Sequence, residues 1–539
     1  MSKNIIIFSD GTGQVGGVNF DEVRTNVYKL YRACRTAPDS SVDPSEQVAF
    51  YDPGLGSSVD GGHLHGSLSR KIYNMASMAT GLGITANIVD CYAALIRLYR
   101  DGDRIFLIGF SRGAYTVRSL AAVIAFCGIP RHLPGGGELP LDLEGSKRLA
   151  KTAVKSVYQF CSSYDRKEIG PYLRFMMDTR EKVAEKFRAD HGSADPTDAT
   201  KANVYPYFIG VFDTVAALGH RLLGPLIVLG VLIAPVVASG AISGLSALFA
   251  YLFPQTASWL EVASFWNVLG VLGPLFLLIA AGAYVKNYLR FAFDLPGYGF
   301  IKSLATIHFT RGKHRFYDET LNPNVAYAKH AISIDENRAD FKPVPWKPPV
   351  ASDKPTRDAE RNIYFEQVFF PGVHADVGGG YNDNESRLSD IALKWMLAAA
   401  SMVPDGIKHD PWVLRLHPDA TGVQHDEQKG GFLKLGIREI KQPKAVMHKS
   451  VYTRFEAEKV VLFDKLGDYR PTPLKNHVDF AQYFDPKITD PQPSDPDNRQ
   501  VADNLEYKWK HKIEAAEAAE KVRLAQQVPA DGGSHVGRA

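Results

Sequence analysis

Short apolar runs recur along this chain, separated by segments of helical period. Residues 4–8, 47–51, 104–108, 207–212 and 367–370 are dominated by Ile, Val, Leu, Phe and Tyr, without alternating polar positions. Runs of this length and kind fit strands buried on both faces. Residues 87–100 and 115–126 instead place apolar side chains at helical spacing. Strands alternating with helices predict an α/β protein, with a parallel sheet and helices on both faces. Residues 130–200 open on Pro130, Pro134, Gly135-Gly136-Gly137 and Pro140, run on as charged helical segments, and close on Gly192-Ser193-Ala194-Asp195-Pro196. They read as an insertion, either roofing a pocket or forming a peripheral helical layer. There is no internal repeat of solenoid period.

The pattern changes between residues 218 and 290. From Arg221 to Glu261 there are 39 consecutive residues without Asp, Glu, Lys, Arg or His, and from Glu261 to Lys286 there are 24 more. As a helix the second stretch would be about 36 Å long at about 1.5 Å per residue, against a bilayer hydrocarbon core of about 30 Å. A soluble helix rarely stays uncharged for so long, because one face meets water. Tyr251, Trp259, Trp266 and Tyr284 lie where interfacial aromatics are useful, and Pro225 and Pro235 are tolerated in membrane helices. Residues 222–253 and 262–285 are therefore expected to form an inserted apolar helical hairpin. Spanning a bilayer is the leading reading; lying in its interface, or buried between domains or subunits, are the alternatives. Arg221, Lys286 and Arg290 flank the hairpin and only Glu261 lies at its turn, which puts the remaining chain on the cytoplasmic face if the hairpin spans.

Beyond residue 400 the chain turns polar. Residues 509–527 are rich in Ala, Glu and Lys and read as a charged helix, and residues 528–539 as a disordered tail. The expected division is a catalytic part at 1–217, the hairpin at 218–290, a second catalytic part at 291–400 and a C-terminal accessory region at 401–539.

Composition narrows the function classes. A 539-residue chain with 45% hydrophobic and 22% charged residues can build a large core. A net charge of +3 gives no support to nucleic-acid binding. Cys34, Cys91, Cys127 and Cys161 are widely spaced, form no C-x-x-C, and read as reduced, buried side chains. No metal site or cofactor is expected. Met1-Ser2-Lys3-Asn4 runs directly into an apolar strand, so the expectation is a chain without an ordinary secretory leader.

The candidate chemistry starts at the end of the third strand. Arg104-Ile105-Phe106-Leu107-Ile108 leads into Gly109-Phe110-Ser111-Arg112-Gly113, and a helical pattern follows at once. This is G-x-S-x-G in strand–turn–helix context, a nucleophile elbow. A serine on so sharp a turn needs Gly109 and Gly113 on either side so that crowded backbones can pass. A Gly/Ser turn without catalysis is the bland alternative. A serine nucleophile needs a base and an acid that orients the base, in the order Ser…Asp…His for this arrangement. Strand 207–212 ends in Asp213, and strand 367–370 ends in Pro371-Gly372-Val373-His374-Ala375-Asp376. Asp213 is the candidate acid and His374 the candidate base, with Asp376 and Asp390 as rival acids. The oxyanion hole is expected from the amide of Arg112 and from the loop Ser9-Asp10-Gly11-Thr12-Gly13-Gln14, at Gly11 or Thr12, with Asp10 supporting the turn.

Four segments together resemble the first family of bacterial type VI secretion lipase effectors: Phe8-Ser9-Asp10-Gly11-Thr12, Gly109-Phe110-Ser111-Arg112-Gly113-Ala114-Tyr115, Val211-Phe212-Asp213-Thr214-Val215 and Phe370-Pro371-Gly372-Val373-His374-Ala375-Asp376-Val377-Gly378-Gly379-Gly380-Tyr381. Residues 330–338 (H-A-I-S-I-D-E-N-R) are similar as well. The resemblance covers roughly residues 1–400 without 218–290. It implies an α/β-hydrolase fold and hydrolysis of phospholipid acyl esters, with Ser111, Asp213 and His374 on the family's triad. It also implies a membrane phospholipid substrate, a membrane-associating part, and a secretion-apparatus or immunity protein as partner. The hairpin is more apolar than a soluble exported effector would want, so the expected location is the bacterial inner membrane, with export as the alternative. The runners-up are a non-lipid esterase of the same fold and a catalytically silent membrane scaffold. A haloacid-dehalogenase reading of the first strand fails because its nucleophilic Asp would fall on Phe8.

Overall fold

The computed structural model describes residues 2–11, 23–54, 82–164, 169–215, 223–252, 264–310, 320–338, 341, 343–347, 356–426, 440, 443–463 and 465–484, with four further positions between 514 and 522. The expected terminal helix is represented only by those four positions, which are helical, and residues 528–539 lie outside the described residues.

Nine strands matter for the site: β1 (Asn4–Ser9), β2 (Gln47–Asp52), β3 (Arg104–Phe110), β4 (Phe208–Phe212), β5 (Leu289–Arg290), β6 (His308–Phe309), β7 (Tyr327–Ser333), β8 (Phe365–Phe370) and β9 (Val446–Met447). Seven of them form one sheet in the order β2-β1-β3-β4-β7-β8-β9. Every pairing in it is parallel. The α/β architecture with a parallel sheet is therefore as expected from the pattern.

The helices are α1 (Asn26–Cys34), α2 (Leu82–Leu98), α3 (Arg112–Cys127), α4 (Leu143–Thr152), α5 (Pro171–His191), α6 (Leu223–Leu252), α7 (Phe265–Tyr288), α8 (Phe300–Leu304), α9 (His374–Gly378), α10 (Arg387–Met402) and α11 (Lys449–Glu456). Alternate strand residues feed two cores. Ile5, Ile7, Ile105, Leu107, Ile209 and Val211 pack with α2 and α3 on one face. Ile6, Phe8, Phe106, Ile108, Phe208 and Phe212 pack with α1 and α10 on the other. A strand buried on both faces must be apolar at every position, which is why these runs lacked alternation.

Residues 143–191 thicken the first face: Leu149, Ala150, Val154, Val157, Ala184 and Phe187 join the core around α2 and α3. The segment is thus a helical layer on that side. The chain after residue 400 supplies the edge strand β9 and a third core, in which Met447, Val451, Phe455, Tyr469 and Leu474 gather around Ile334 at the end of β7. All four cysteines are free and buried.

Two strands of the large sheet escaped the sequence reading. β7 carries Lys329 and His330 in its middle, which breaks the apolar run. The Lys329 ammonium is buried, donating to the Ile363 carbonyl and pairing with Glu366 Oε2, both at 2.9 Å. β9 is only two residues long.

Helices α6 and α7 form the expected hairpin. They pack against each other. Among the described side chains of α6 only Pro235 and Ser239 are buried, and α7 has none. Tyr251 is 81% and Trp266 75% exposed. The alternative of a hairpin buried within this chain is thereby excluded.

The elbow is closely packed against neighbouring backbone. A Cβ on Gly113 would lie 2.0 Å from the Ser9 carbonyl oxygen, and one on Gly109 would lie 2.6 Å from the Gly113 oxygen. Both obstacles are backbone, which cannot rotate away. Gly113→Ala is expected to cost about 3 kcal/mol or to prevent folding. A urea midpoint equal to that of the wild type would contradict this packing.

Candidate active site

The sheet order defines where a site can form. From β1 the chain passes to β2 on one side, then crosses back to β3 on the other. In open parallel sheets the crevice beyond the strand carboxyl ends at such a reversal is the place for a ligand. The ends of β1 and β3 meet there, and the ends of β4 and β8 lie farther along the same edge.

Ser111 follows β3 directly and has φ 57° and ψ −118°. A positive φ on a non-glycine residue is strained backbone. It is held by the Ser111 N–H donating to the Phe212 carbonyl at 3.1 Å and by α3 starting at the next residue. The Arg112 amide, first in the helix, makes no hydrogen bond among the described residues, as expected of a helix N-terminus. Burial pulls the Arg112 guanidinium down to about 10.

Gly11 lies beside the nucleophile, since a Cβ there would sit 3.5 Å from Ser111 Cβ. Its amide, however, donates to Asp10 Oδ1 at 2.7 Å. The expected Gly11 oxyanion contact is thus not available without breaking that bond. Thr12 lies outside the described residues. Asp10 supports the turn as expected: Oδ2 accepts from Thr25 Oγ1 at 2.6 Å and from the Tyr51 hydroxyl at 2.7 Å, tying the loop to α1 and β2.

Asp213 follows β4 and is fully buried. Its Oδ1 accepts from the Ser333 amide at 3.0 Å, and Oδ2 accepts from Ser333 Oγ at 3.1 Å and from His374 Nδ1 at 2.5 Å. A carboxylate only accepts, so the His374 Nδ1 carries the proton and Nε2 is left as the basic nitrogen. The His374 ring lies 4.6 Å from the Phe110 ring and 5.1 Å from Phe341. Its Nε2 is buried and has no hydrogen-bond partner among the described residues. The expected Ser111–His374 hydrogen bond is therefore not made in this resting geometry; such contacts often tighten only around substrate.

The rival acids are engaged elsewhere. Asp376 accepts from the Val373 amide at 3.0 Å and from His425 Nδ1 at 2.7 Å. Asp390 accepts from Lys29 Nζ at 3.3 Å and from the His417 amide at 2.9 Å.

Sequence reasoning missed Ser333, Asp335, Glu336 and Phe341 around this histidine. The S-I-D-E end of β7 was the available signal: polar residues directly after a buried strand. Glu336 is buried, pairs with Arg338 Nε at 2.7 Å, and accepts the His374 amide at 3.0 Å. Among the described residues no cluster of His, Cys, Asp and Glu could hold a metal ion.

The fold is α/β-hydrolase-like, a parallel sheet with helices on both faces. Residues 3–225 and 296–399 match the family model described as T6SS, Phospholipase effector Tle1-like, catalytic domain, and the chain belongs to that family. The match skips 226–295, which holds α7 and nearly all of α6, and stops before β9. The chain is also similar to the uncharacterized protein YEL023C of Saccharomyces cerevisiae, at 27% identity over 221 residues, 40% of this chain and 27% of the yeast protein. A solved structure of an uncharacterized Pseudomonas aeruginosa protein is similar at 15% identity and TM-score 0.31, covering 76% of this chain and 47% of that one. A structure of the Tle1 effector bound to the VgrG spike of the type VI secretion system is similar at 14% identity and TM-score 0.25, covering 72% and 53%. The chain thus spans about a quarter of its curated relative and about half of each solved structure.

The loop carrying His374 rests on a carboxyl whose proton is set by burial. Asp335 accepts from the Gly372 amide at 2.6 Å and the Tyr469 hydroxyl at 2.8 Å, yet burial outweighs these donors and pushes it up to about 7. A raised folded-state value stabilises the protein below the ordinary carboxylate range and loses that contribution as pH rises toward 7. Asp335→Asn keeps an acceptor oxygen and cannot ionise. Thermal unfolding of wild type should therefore weaken between about pH 4 and pH 7 relative to Asp335→Asn. Parallel curves would show that Asp335 does not titrate in this range.

Proposed function

We propose that this protein is a serine hydrolase of membrane-lipid acyl esters, a phospholipase A-like enzyme. The observation that carries the reading is the buried Asp213–His374 pair, whose unpartnered Nε2 belongs to a ring packed against Phe110, the residue before Ser111. Ser111 Oγ attacks the ester carbonyl while His374 Nε2 takes its proton. The developing imidazolium is stabilised by Asp213, and the oxyanion by the Arg112 amide. His374 then returns the proton to the leaving lysophospholipid alcohol, and water hydrolyses the acyl-Ser111 ester by the same relay in reverse. The second oxyanion donor comes from the loop after Ser9: Thr12, or Gly11 once its amide leaves Asp10.

The family description and the hairpin together favour a lipid over other esters. Nineteen large apolar side chains of α6 and α7 are exposed. Moving each half-exposed side chain from water into an apolar medium gains about 1 kcal/mol. A bilayer fits two helices about 45 Å and 36 Å long whose only charge is Lys286 near one end. At the base of the hairpin Lys151, Lys286 and Arg290 crowd Lys155, and burial followed by these three cations holds its ammonium below its ordinary range. Phe291, Phe300, Ile301 and Phe309, which follow the hairpin in sequence, are exposed. Cations and aromatics at one end of an apolar hairpin suit the headgroup level of the cytoplasmic leaflet. A secretion-apparatus or immunity partner is a further part of the proposal and rests on the family description alone.

Ser111→Ala should lower hydrolysis of a phospholipid by about 10⁴-fold or more, and Asp213→Asn by about 10⁴-fold. A fluorophosphonate should label wild type and not Ser111→Ala. Unchanged hydrolysis by folded Ser111→Ala would refute the reading. Residual phospholipid specificity is separated from general esterase action by testing a soluble short-chain ester in parallel.

Replacing 222–285 by a short Gly/Ser linker should release the protein from membranes, spare the soluble ester and slow attack on bilayers. Continued membrane binding by the deletion variant, or a detergent-free soluble monomer of the intact chain, would rule out the anchor.

A further inference from the structure

Three consecutive amides of the loop that carries His374 are each held by a different buried carboxylate. The Gly372 amide donates to Asp335 Oδ2 at 2.6 Å, Val373 to Asp376 Oδ2 at 3.0 Å, and His374 to Glu336 Oε2 at 3.0 Å. Carboxylates crowded in this way repel one another and lose hydration, so each must be fixed in turn. Arg338 fixes Glu336, donating through Nε to Oε1 at 2.7 Å and through its terminal nitrogen to Oε2 at 3.0 Å. The other two are fixed from beyond the matched catalytic region, which ends at 399.

His425 Nδ1 donates to Asp376 Oδ1 at 2.7 Å, and the His425 amide donates to Asp376 Oδ2 at 3.1 Å. The Tyr381 ring stacks on the His425 imidazole at 3.5 Å, setting its plane. The Tyr469 hydroxyl donates to Asp335 Oδ2 at 2.8 Å and is itself buried. Arg454, also buried, lies close enough to interact electrostatically with both Asp335 and Asp376, and donates to the carbonyls of Ala420, Gly422 and Val461. Glu385 Oε2 lies 3.7 Å from His425 Nε2. Burial works against a charge on His425; the hydrogen bond and charge of Asp376, then Glu385, outweigh it and hold the imidazole protonated above its ordinary range.

We propose that His425 and Tyr469 are positioning residues for His374: acting through Asp376 and Asp335, they fix the loop that aims the imidazole between Asp213 and Ser111. The segment after residue 399 thereby completes the catalytic site. This rests on the reading of His374 as the base for Ser111. Neither residue touches the reacting atoms, so each acts on turnover through geometry. A displacement of about 1 Å at a reacting group can cost about 10²-fold.

The test uses the full chain and a soluble short-chain ester. Asn places an amide donor near the position of imidazole Nδ1, whereas Gln places it near Nε2. His425→Asn should keep kcat within about threefold of wild type, and His425→Gln should lose about 10²-fold in kcat with KM nearly unchanged. Tyr469→Phe, which removes one hydroxyl, should lose about tenfold in kcat, again with KM unchanged. Equal losses for the Asn and Gln variants, or a change in KM alone, would overturn the proposal. If His425→Gln fails to fold, Tyr469→Phe decides, and wild-type kcat in that variant overturns it. Ser111→Ala, measured alongside, separates the two readings. An active Ser111→Ala removes the functional reading and this one with it. An inactive Ser111→Ala beside fully active His425→Gln and Tyr469→Phe removes the positioning role alone.

Discussion

The Asp213 carboxylate is the constraint on which the site depends. It is fully buried, and a buried carboxylate is tolerable only when its oxygens are filled with donors. Here the donors come from different parts of the sheet: the amide and hydroxyl of Ser333 at the end of β7, and the imidazole of His374 after β8. One charge thus ties the ends of β4, β7 and β8 together. The Asp213 amide completes the link by donating to the Ala331 carbonyl at 2.7 Å. Shifting β7 or β8 by one residue would turn Ser333 or His374 to the wrong face and leave this charge without its partners.

A second constraint acts at the other end of the crevice. Gly113 passes against the backbone of Ser9 and Asp10, so α3 can start only where β1 stops. The strained Ser111 turn is the consequence of beginning a helix at that point. The His374 loop is then pressed onto the elbow: a Cβ on Gly378 would lie 1.9 Å from the Phe110 ring. The Ser111 and His374 segments are thus held together by packing of the Gly378 backbone against the Phe110 ring, with no hydrogen bond between the two residues. This explains how Ser111 and His374 can lack a direct bond here while their supports are rigid.

Much of this was legible in the chain. Apolar runs without alternation mark strands buried on both faces, and five of the seven strands of the large sheet announced themselves in that way. The elbow was readable because glycines two residues either side of a serine have a steric reason to be there. Asp213 and His374 were readable because each follows a buried strand. What stayed hidden was polarity that the fold satisfies at long range. β7 looks unlike a central strand until Lys329 finds Glu366 on β8. Asp376 looked like a rival to Asp213 because both are acids near the histidine in sequence, and only the fold shows His425 claiming it. The contribution of the C-terminal segment was invisible for the same reason: Asp335 and Tyr469 are 134 positions apart.

The hairpin raises a different physical question, because it interrupts the catalytic fold between Asp213 and His374. An insertion is tolerated when its ends lie close together and its own contacts hold it. Helices α6 and α7 meet the first requirement by rejoining the catalytic fold at β5, where Leu289 and Arg290 pair with β6. They meet the second only partly, since their outward faces are apolar. A helix pair that exposes Leu, Ile, Val and Phe on nearly every side has the surface of a core turned outward, and no amount of internal packing supplies the missing neighbours. On the proposed anchor reading, the catalytic fold gains a second solvent through a segment inserted after Asp213. Under the proposed function, coupling of chemistry to a lipid surface would need no contact between hairpin and Ser111: with the hairpin immersed, the connection of fewer than ten residues between Asp213 and α6 would limit how far the crevice stands from the headgroups, and the local ester concentration would be set by the bilayer.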